Sequence, residues 1–278
     1  MKCLKCNTKI NLFWSFCPIC GKTIENKRII NVITLISIAL TLLFGYFHEM
    51  YGAMIVISLI LNASILYTLC KKQNYSNFEI WCLLVYELIG MIIGAKLLTY
   101  ITHYNEYKDL SFLEIGLSSY GGAIGTLIMI FIYQFQFKKD KKTLFVNCLL
   151  PLPLMYAVGK VGCFIAGCCY GIEYSGPFNI VYKNSLEAPN GVGLFPVQIV
   201  ESIIFFLIFI YLFFNKKLSY VNKCGLLFIL CGSAKFLLDF LRASHIGILI
   251  SVNQIISIIF VTIGIILIKQ TMNEKSKL

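Results

Sequence analysis

The chain has 278 residues, 58% of them hydrophobic and 13% charged, with a mean hydropathy of +0.80 and a formal net charge of +11. That composition excludes an ordinary soluble domain and predicts an all-α, polytopic helical membrane protein. The basic excess would suggest nucleic acid in a soluble chain, but here the cations lie in short stretches between apolar runs, a pattern of topology control with no nucleic-acid partner.

The first element is polar and Cys-rich, without a basic segment leading into a short apolar core, so a cleaved signal peptide is not expected. "CLKCNTKINLFWSFCPICG" holds Cys3-x2-Cys6 and, ten residues on, Cys17-x2-Cys20. Two such knuckles suit tetrahedral thiolate coordination of Zn²⁺ and resemble zinc-ribbon modules. So short a segment buries little core, and the metal would supply its folding energy. Four Cys ligands leave no open metal position, which makes the Zn structural and gives it no part in catalysis. Disulfides or free thiols are the competing reading, and a reducing cytoplasm disfavours the former. The expected domains are a cytoplasmic zinc ribbon at 1–28, a transmembrane domain at 29–268 and a basic tail at 269–278.

Crossing ~30 Å of hydrocarbon takes about 20 apolar residues. Eight runs qualify, at roughly 29–47, 51–70, 79–101, 116–137, 144–165, 196–214, 224–241 and 246–268. The fifth is interrupted by Pro151, Pro153, Gly159 and Gly162 and reads as a broken segment, tolerable where it lines a cavity. Eighteen of the 24 basic residues fall in 1–28, "KKQNYSN", "KKDKK", "NKKLSYVNK" and the tail, whereas Lys108, Lys183 and Arg242 fall in the alternate loops. This asymmetry places both termini in the cytoplasm and "GCCYG" outside.

Polar groups at membrane depth are costly and mark function. In chain order these are Lys96 in "GAKLLTY", Tyr120, Gly121 and Gly122 in "SYGGAIG", Lys160 and the cysteines in "GKVGCFIAGCCYG", Gln198 and Glu201 in "FPVQIVES", and Lys235, Asp239 and Arg242 in "GSAKFLLDFLR". Lys235, Asp239 and Arg242 share a helix face by spacing, as do Gln198 and Glu201. All belong to one membrane face, where cations would neutralise a lipid phosphodiester and carboxylates would orient them or take protons. Plainer readings exist for each: an intrahelical Lys235–Asp239 ion pair, a snorkelling Lys96, helix-start polarity at Gln198 and Glu201, an interfacial Tyr120, and packing glycines.

These blocks resemble, in order and spacing, those of the bacterial phosphatidylglycerol–prolipoprotein diacylglyceryl transferases, from about Glu87 to Ile268. "GKVGCFIAGCCYG" is similar to the family's glycine–arginine–isoleucine–glycine–asparagine–phenylalanine signature, and the other four blocks to its flanking motifs. The resemblance implies transfer of the diacylglyceryl group of phosphatidylglycerol to the lipobox cysteine of a preprolipoprotein signal peptide, in the bacterial cell membrane. It implies catalytic Lys160, Lys235, Tyr120, Asp239 and Glu201, with Lys96, Gly121, Gly122, Cys163, Cys168, Gly171, Gln198 and Arg242 binding membrane lipid substrate. The ribbon would recruit a cytoplasmic protein partner. The family has seven spans and an outer N-terminus, so one extra leading span agrees with the charge-based topology.

Departures from the family pattern are specific. Lysine replaces arginine at 96, 160 and 235, in a chain with 22 Lys and two Arg. Tyr120 and Phe195 replace histidines, Cys163 an asparagine and Cys168 a glutamate. Cys163, Cys168 and Cys169 have three readings: an outer-face disulfide, small apolar lining, or a metal or thiol-exchange site. Two other functions stay open on this basis, a membrane redox or metal-handling protein using these cysteines, and a non-catalytic lipid-binding relative.

Overall fold

The computed structural model describes residues 3, 5–9, 17, 19–20 and 49–275. Within them, seven helices are long and apolar enough to span a bilayer: Tyr51–Lys72, Asn77–Thr102, Ser119–Phe137, Lys141–Ala166, Val197–Phe214, Tyr220–Asp239 and Val252–Asn273. The protein is a multi-pass helical membrane protein. Seven of the eight expected spans are present; the first, 29–47, lies outside the described residues.

Local signals set the helix ends. Helix α1 (Glu49–Lys72) closes on Lys71 and Lys72 and turns through left-handed Asn74, φ 61°. Helix α2 (Asn77–Thr102) begins with a capping box: Ser76 Oγ accepts from the Glu79 amide at 3.3 Å and Glu79 Oε2 accepts from the Ser76 amide at 2.9 Å. A one-turn α3 (Tyr104–Tyr107) follows, then α4 (Ser119–Phe137), capped by Ser118. The fifth span is broken as its prolines predict. Helix α5 (Lys141–Leu149) stops, and α6 (Leu152–Ala166) restarts at Pro151, whose missing N–H costs nothing at a helix start.

After α6 the chain leaves the helical layer for residues 167–196, which hold a two-residue antiparallel pair, β1 (Ile180–Val181) with β2 (Gly193–Leu194). This small hairpin is an addition to the all-α expectation. Helices α7 (Val197–Phe214), α8 (Tyr220–Asp239) and α9 (Val252–Lys275) complete the order. The last span starts six residues later than hydropathy alone places it. Residues 246–251 are apolar but irregular, and a reciprocal Ser251–Gln254 cap begins α9.

Two compact units divide these elements, one taking residues 63–144 and the other 49–62 with 145–275. In the first, α2 and α4 meet through "GMIIG" and "GGAIG". A Cβ at Gly125 would lie 2.0 Å from the Gly90 carbonyl oxygen, and one at Gly121 2.3 Å from that of Gly94. With no hydrophobic drive between helices in lipid, such backbone contact supplies the packing. In the second unit α6, α7, α8 and α9 pack in succession. Tyr51 and Met54 of α1 lie against Gly162 of α6.

Candidate active site

The second unit gathers most of the polar groups that the sequence singles out. Glu201, on the first turns of α7, is 1% exposed and takes two cations: Lys160 Nζ from α6 on Oε2 at 2.8 Å, and Arg242 Nη2 on Oε1 at 2.5 Å. Tyr156 stands one turn before Lys160. Its hydroxyl accepts from Lys235 Nζ of α8 at 3.0 Å and from Arg242 Nη2 at 3.3 Å. The ammonium groups of Lys160 and Lys235 lie 5.4 and 4.6 Å from the centre of the same ring, which packs on Phe205 at 4.3 Å.

Two buried cations therefore share one carboxylate, and Lys235 joins them on the Tyr156 side chain, an excess of positive charge suited to an anionic ligand. Burial opposes the Arg242 charge, and the Glu201 carboxylate more than offsets it, holding the guanidinium charged. Arg242 Nε is buried with no hydrogen-bond partner among the described residues, leaving a donor to offer.

Arg242, expected at the end of the seventh span and among the substrate-binding residues, lies just past α8, is 9% exposed and is tied into the cluster. It is placed there by the segment after α6: Gly171 bridges Arg242, and the Ile172 and Ala243 amides bond Leu241 and Tyr170 carbonyls. Only glycine fits at 171, since a Cβ would lie 2.2 Å from the Phe195 carbonyl oxygen. Tyr156 is the member that sequence reasoning missed. Its i,i+4 relation to Lys160 on the broken span was the available signal.

Asp239 does not pair with Lys235 among the described ion pairs. Its carboxylate accepts from Ser251 Oγ at 2.5 Å and Asn253 Nδ2 at 3.3 Å, and faces His245 Nδ1 at 3.3 Å. It thus ties the end of α8 to the start of α9. Gln198 donates to the Cys168 carbonyl at 2.9 Å and so holds the cysteine turn.

That turn draws three sulfurs together: the Sγ atoms of Cys163, Cys168 and Cys169 all lie within 4.8 Å of one another. Two left-handed residues make this convergence, Gly167 at φ 78° and Cys169 at φ 53°. The second is a non-glycine outlier, strained by about 1–2 kcal/mol. Hydrogen bonds from Cys163 and Cys168, with the Lys160 charge, hold the Cys169 thiol well below its usual range. Hydrogen bonding with Cys163 and Cys169, and burial, push Cys168 up.

The remaining predicted residues belong to the first unit. Lys96 is 4% exposed, and its ammonium donates to the Leu113 and Ile115 carbonyls at 3.0 and 2.8 Å. It fastens the loop before α4 rather than snorkelling. Tyr120 is buried on the first turn of α4. Gly121 serves the backbone contact with Gly94, and Gly122 faces the Met91 side chain.

At the N-terminus, Cys3, Cys6, Cys17 and Cys20 bring their sulfurs within 4.8 Å of one another, with 3.5 Å between Cys3 and Cys20 and 3.4 Å between Cys6 and Cys17. The Lys5 amide approaches Cys3 Sγ at 3.5 Å. The Thr8 hydroxyl, its amide and Cys17 lower the Cys6 thiol to about 6. This cluster is able to hold a metal ion.

Comparison with known proteins gives one consistent result. The family model described as prolipoprotein diacylglyceryl transferase matches residues 37–269. The phosphatidylglycerol–prolipoprotein diacylglyceryl transferase of Clostridium tetani is 32% identical over 234 residues, covering 80% of this chain and 93% of that protein. A second transferase of the same description, from Clostridium perfringens, is 30% identical over 81% of this chain and 91% of its own length. That of Tolumonas auensis is 27% identical over 82% and 92%.

Proposed function

This chain belongs to the prolipoprotein diacylglyceryl transferase family, and from that premise we propose that it moves the diacylglyceryl group of phosphatidylglycerol to the lipobox cysteine of a preprolipoprotein, releasing glycerol phosphate. The observation that carries the reading is the buried cluster of Lys160, Lys235 and Arg242 around Glu201 and Tyr156, whose charge exceeds what its own carboxylate neutralises. Lys160, Lys235 and the free Nε of Arg242 bind the phosphodiester. Glu201 positions two of the cations before lipid arrives, so that little reorganisation accompanies charge development on the leaving phosphate. Asp239, Gln198 and Gly171 act through placement: Asp239 sets α8 against α9, and the other two seat the 167–171 turn. In the first unit, taken by itself, Lys96, Gly121 and Gly122 are assigned to substrate binding and Tyr120 to catalysis.

We also propose that the four N-terminal cysteines hold a structural Zn²⁺ in a cytoplasmic ribbon at 1–28 that recruits a protein partner. The transmembrane domain at 29–268 then puts both termini in the cytoplasm, as the charge asymmetry demands, with the basic tail from 269.

The test is transfer by the full-length protein in detergent, with phosphatidylglycerol and a lipobox-cysteine peptide, read as thioether product by mass spectrometry. Lys160→Ala and Lys235→Ala should each abolish turnover while the protein still inserts and elutes as a single species. Retained turnover in both variants would remove the phosphate clamp. Zinc content, measured by elemental analysis in wild type and in Cys3→Ser, tests the ribbon separately.

A further inference from the structure

The phosphate clamp leaves Cys163, Cys168 and Cys169 without a task. Three soft ligands from one turn converge, and that is more than a disulfide needs. Tetrahedral thiolate coordination with Zn–S of about 2.3 Å places sulfurs about 3.8 Å apart, a spacing that fits a triangle whose sulfurs all lie within 4.8 Å of one another. A left-handed, non-glycine Cys169 is the strained element that turns its sulfur back toward Cys163.

Exposure is graded around the triangle. Cys163 is buried at the end of α6, Cys168 is half-buried and Cys169 is exposed. The site is therefore closed on the helix side and open on the other. Three protein ligands and one open position are the pattern of a reactive metal centre, in contrast to the closed four-cysteine set at the N-terminus.

We propose that Cys163, Cys168 and Cys169 bind a soft divalent cation of the zinc class, and that the open position takes the sulfur of the acceptor peptide's cysteine. The second half rests on the transferase reading above. A metal-bound thiol is deprotonated, its proton passing to water. The sulfur lone pair then forms the new S–C bond as the C–O bond to phosphate breaks, and that bonding pair leaves on glycerol phosphate. Nothing is oxidised or reduced. The ion supplies at this turn the activation of a nucleophile that a general base would otherwise give.

Cobalt is the probe, because thiolate–cobalt charge-transfer and tetrahedral d–d bands report ligation without any assay of turnover. Reduced, metal-free, full-length protein in detergent should take up about two thiolate-bound Co²⁺ ions per chain, one at each cysteine cluster. Cys6→Ser with Cys20→Ser should retain the outer one, and Cys163→Ser with Cys168→Ser should lose it. In wild type, Zn²⁺ should protect all three outer thiols from alkylation and a chelator should reverse this, which needs no variant at all. Adding a lipobox peptide with cysteine should shift the d–d bands of the Cys6→Ser, Cys20→Ser protein, whereas its serine analogue should not.

A single cobalt site that vanishes with Cys6 and Cys20, or a disulfide among the outer cysteines in freshly isolated protein, overturns the metal site. Bands indifferent to the cysteine peptide overturn the acceptor seat. Thioether product from protein lacking outer cobalt sinks this inference and leaves the transferase reading standing. Cobalt bound outside, shifted by the cysteine peptide in protein that makes no product, does the reverse.

Discussion

Where α2 crosses α4, four glycines let two backbones touch, and nothing charged takes part. Around Tyr156, three cations and a carboxylate are buried, and hydrogen bonds and ion pairs hold them. Both regions must exist without the hydrophobic effect that assembles a soluble core. The first meets that requirement by removing side chains, the second by pairing them. Their sensitivities to substitution should therefore be opposite: the crossing rejects added volume, and the cluster rejects lost charge.

The largest effect is expected at Glu201. Glu201→Ala strands Lys160 and Arg242 in a buried site, at a cost of about 3–5 kcal/mol. Thermal unfolding in detergent should show it as a large drop in midpoint, together with loss of transfer. Lys160→Gln leaves Arg242 on the carboxylate and should cost less stability than Glu201→Ala while still abolishing transfer. A Glu201→Ala protein as stable as wild type would mean that the pairs contribute nothing and that the cluster is held by its neighbours.

Next comes Gly125→Ala, whose single methyl has no room against the Gly90 carbonyl and should cost about 1–3 kcal/mol. Gly122→Ala is the internal control, because its methyl would meet the Met91 Cγ at 3.3 Å, a side chain able to move. Equal unfolding midpoints for the two variants would show that the α2–α4 contact does not decide stability. Neither substitution touches a charged group, and any change in transfer by Gly125→Ala should track the change in fold.

Much of this arrangement is legible in the sequence, and for unequal reasons. Span positions follow from length and apolarity, and the break at Pro151 follows from a missing N–H, because both are properties of the local chain. The start of the last helix was misplaced because "IGILI" is apolar without being helical, although Ser251-x-x-Gln254 carries the cap signal. At the site, residue types pointed to a cationic headgroup site, but partners did not follow from spacing. Lys235 and Asp239 share a face yet reach different neighbours, Tyr156 and the Ser251 turn. Those choices depend on which helix lies opposite, and no local pattern encodes that. The convergence of Cys163 with Cys168 and Cys169 was hidden likewise, since it needs left-handed backbone at two positions.

Lys96 gives the smallest expected effect and the finest test of the contrast. It is buried like Lys160, yet it faces carbonyls instead of a carboxylate. What its place demands is donors in a fixed direction, which a guanidinium also carries, in a planar fork on a larger head. Lys96→Arg keeps the charge and the donors and should destabilise less than loss of the hydrogen bonds does. Lys96→Met orphans the Leu113 and Ile115 carbonyls and should cost about 1–3 kcal/mol. Unfolding midpoints of the pair decide it: if arginine destabilises as much as methionine, the site is shaped to the ammonium itself. If only methionine does, one buried lysine in this protein is kept for its hydrogen bonds and the other for its charge.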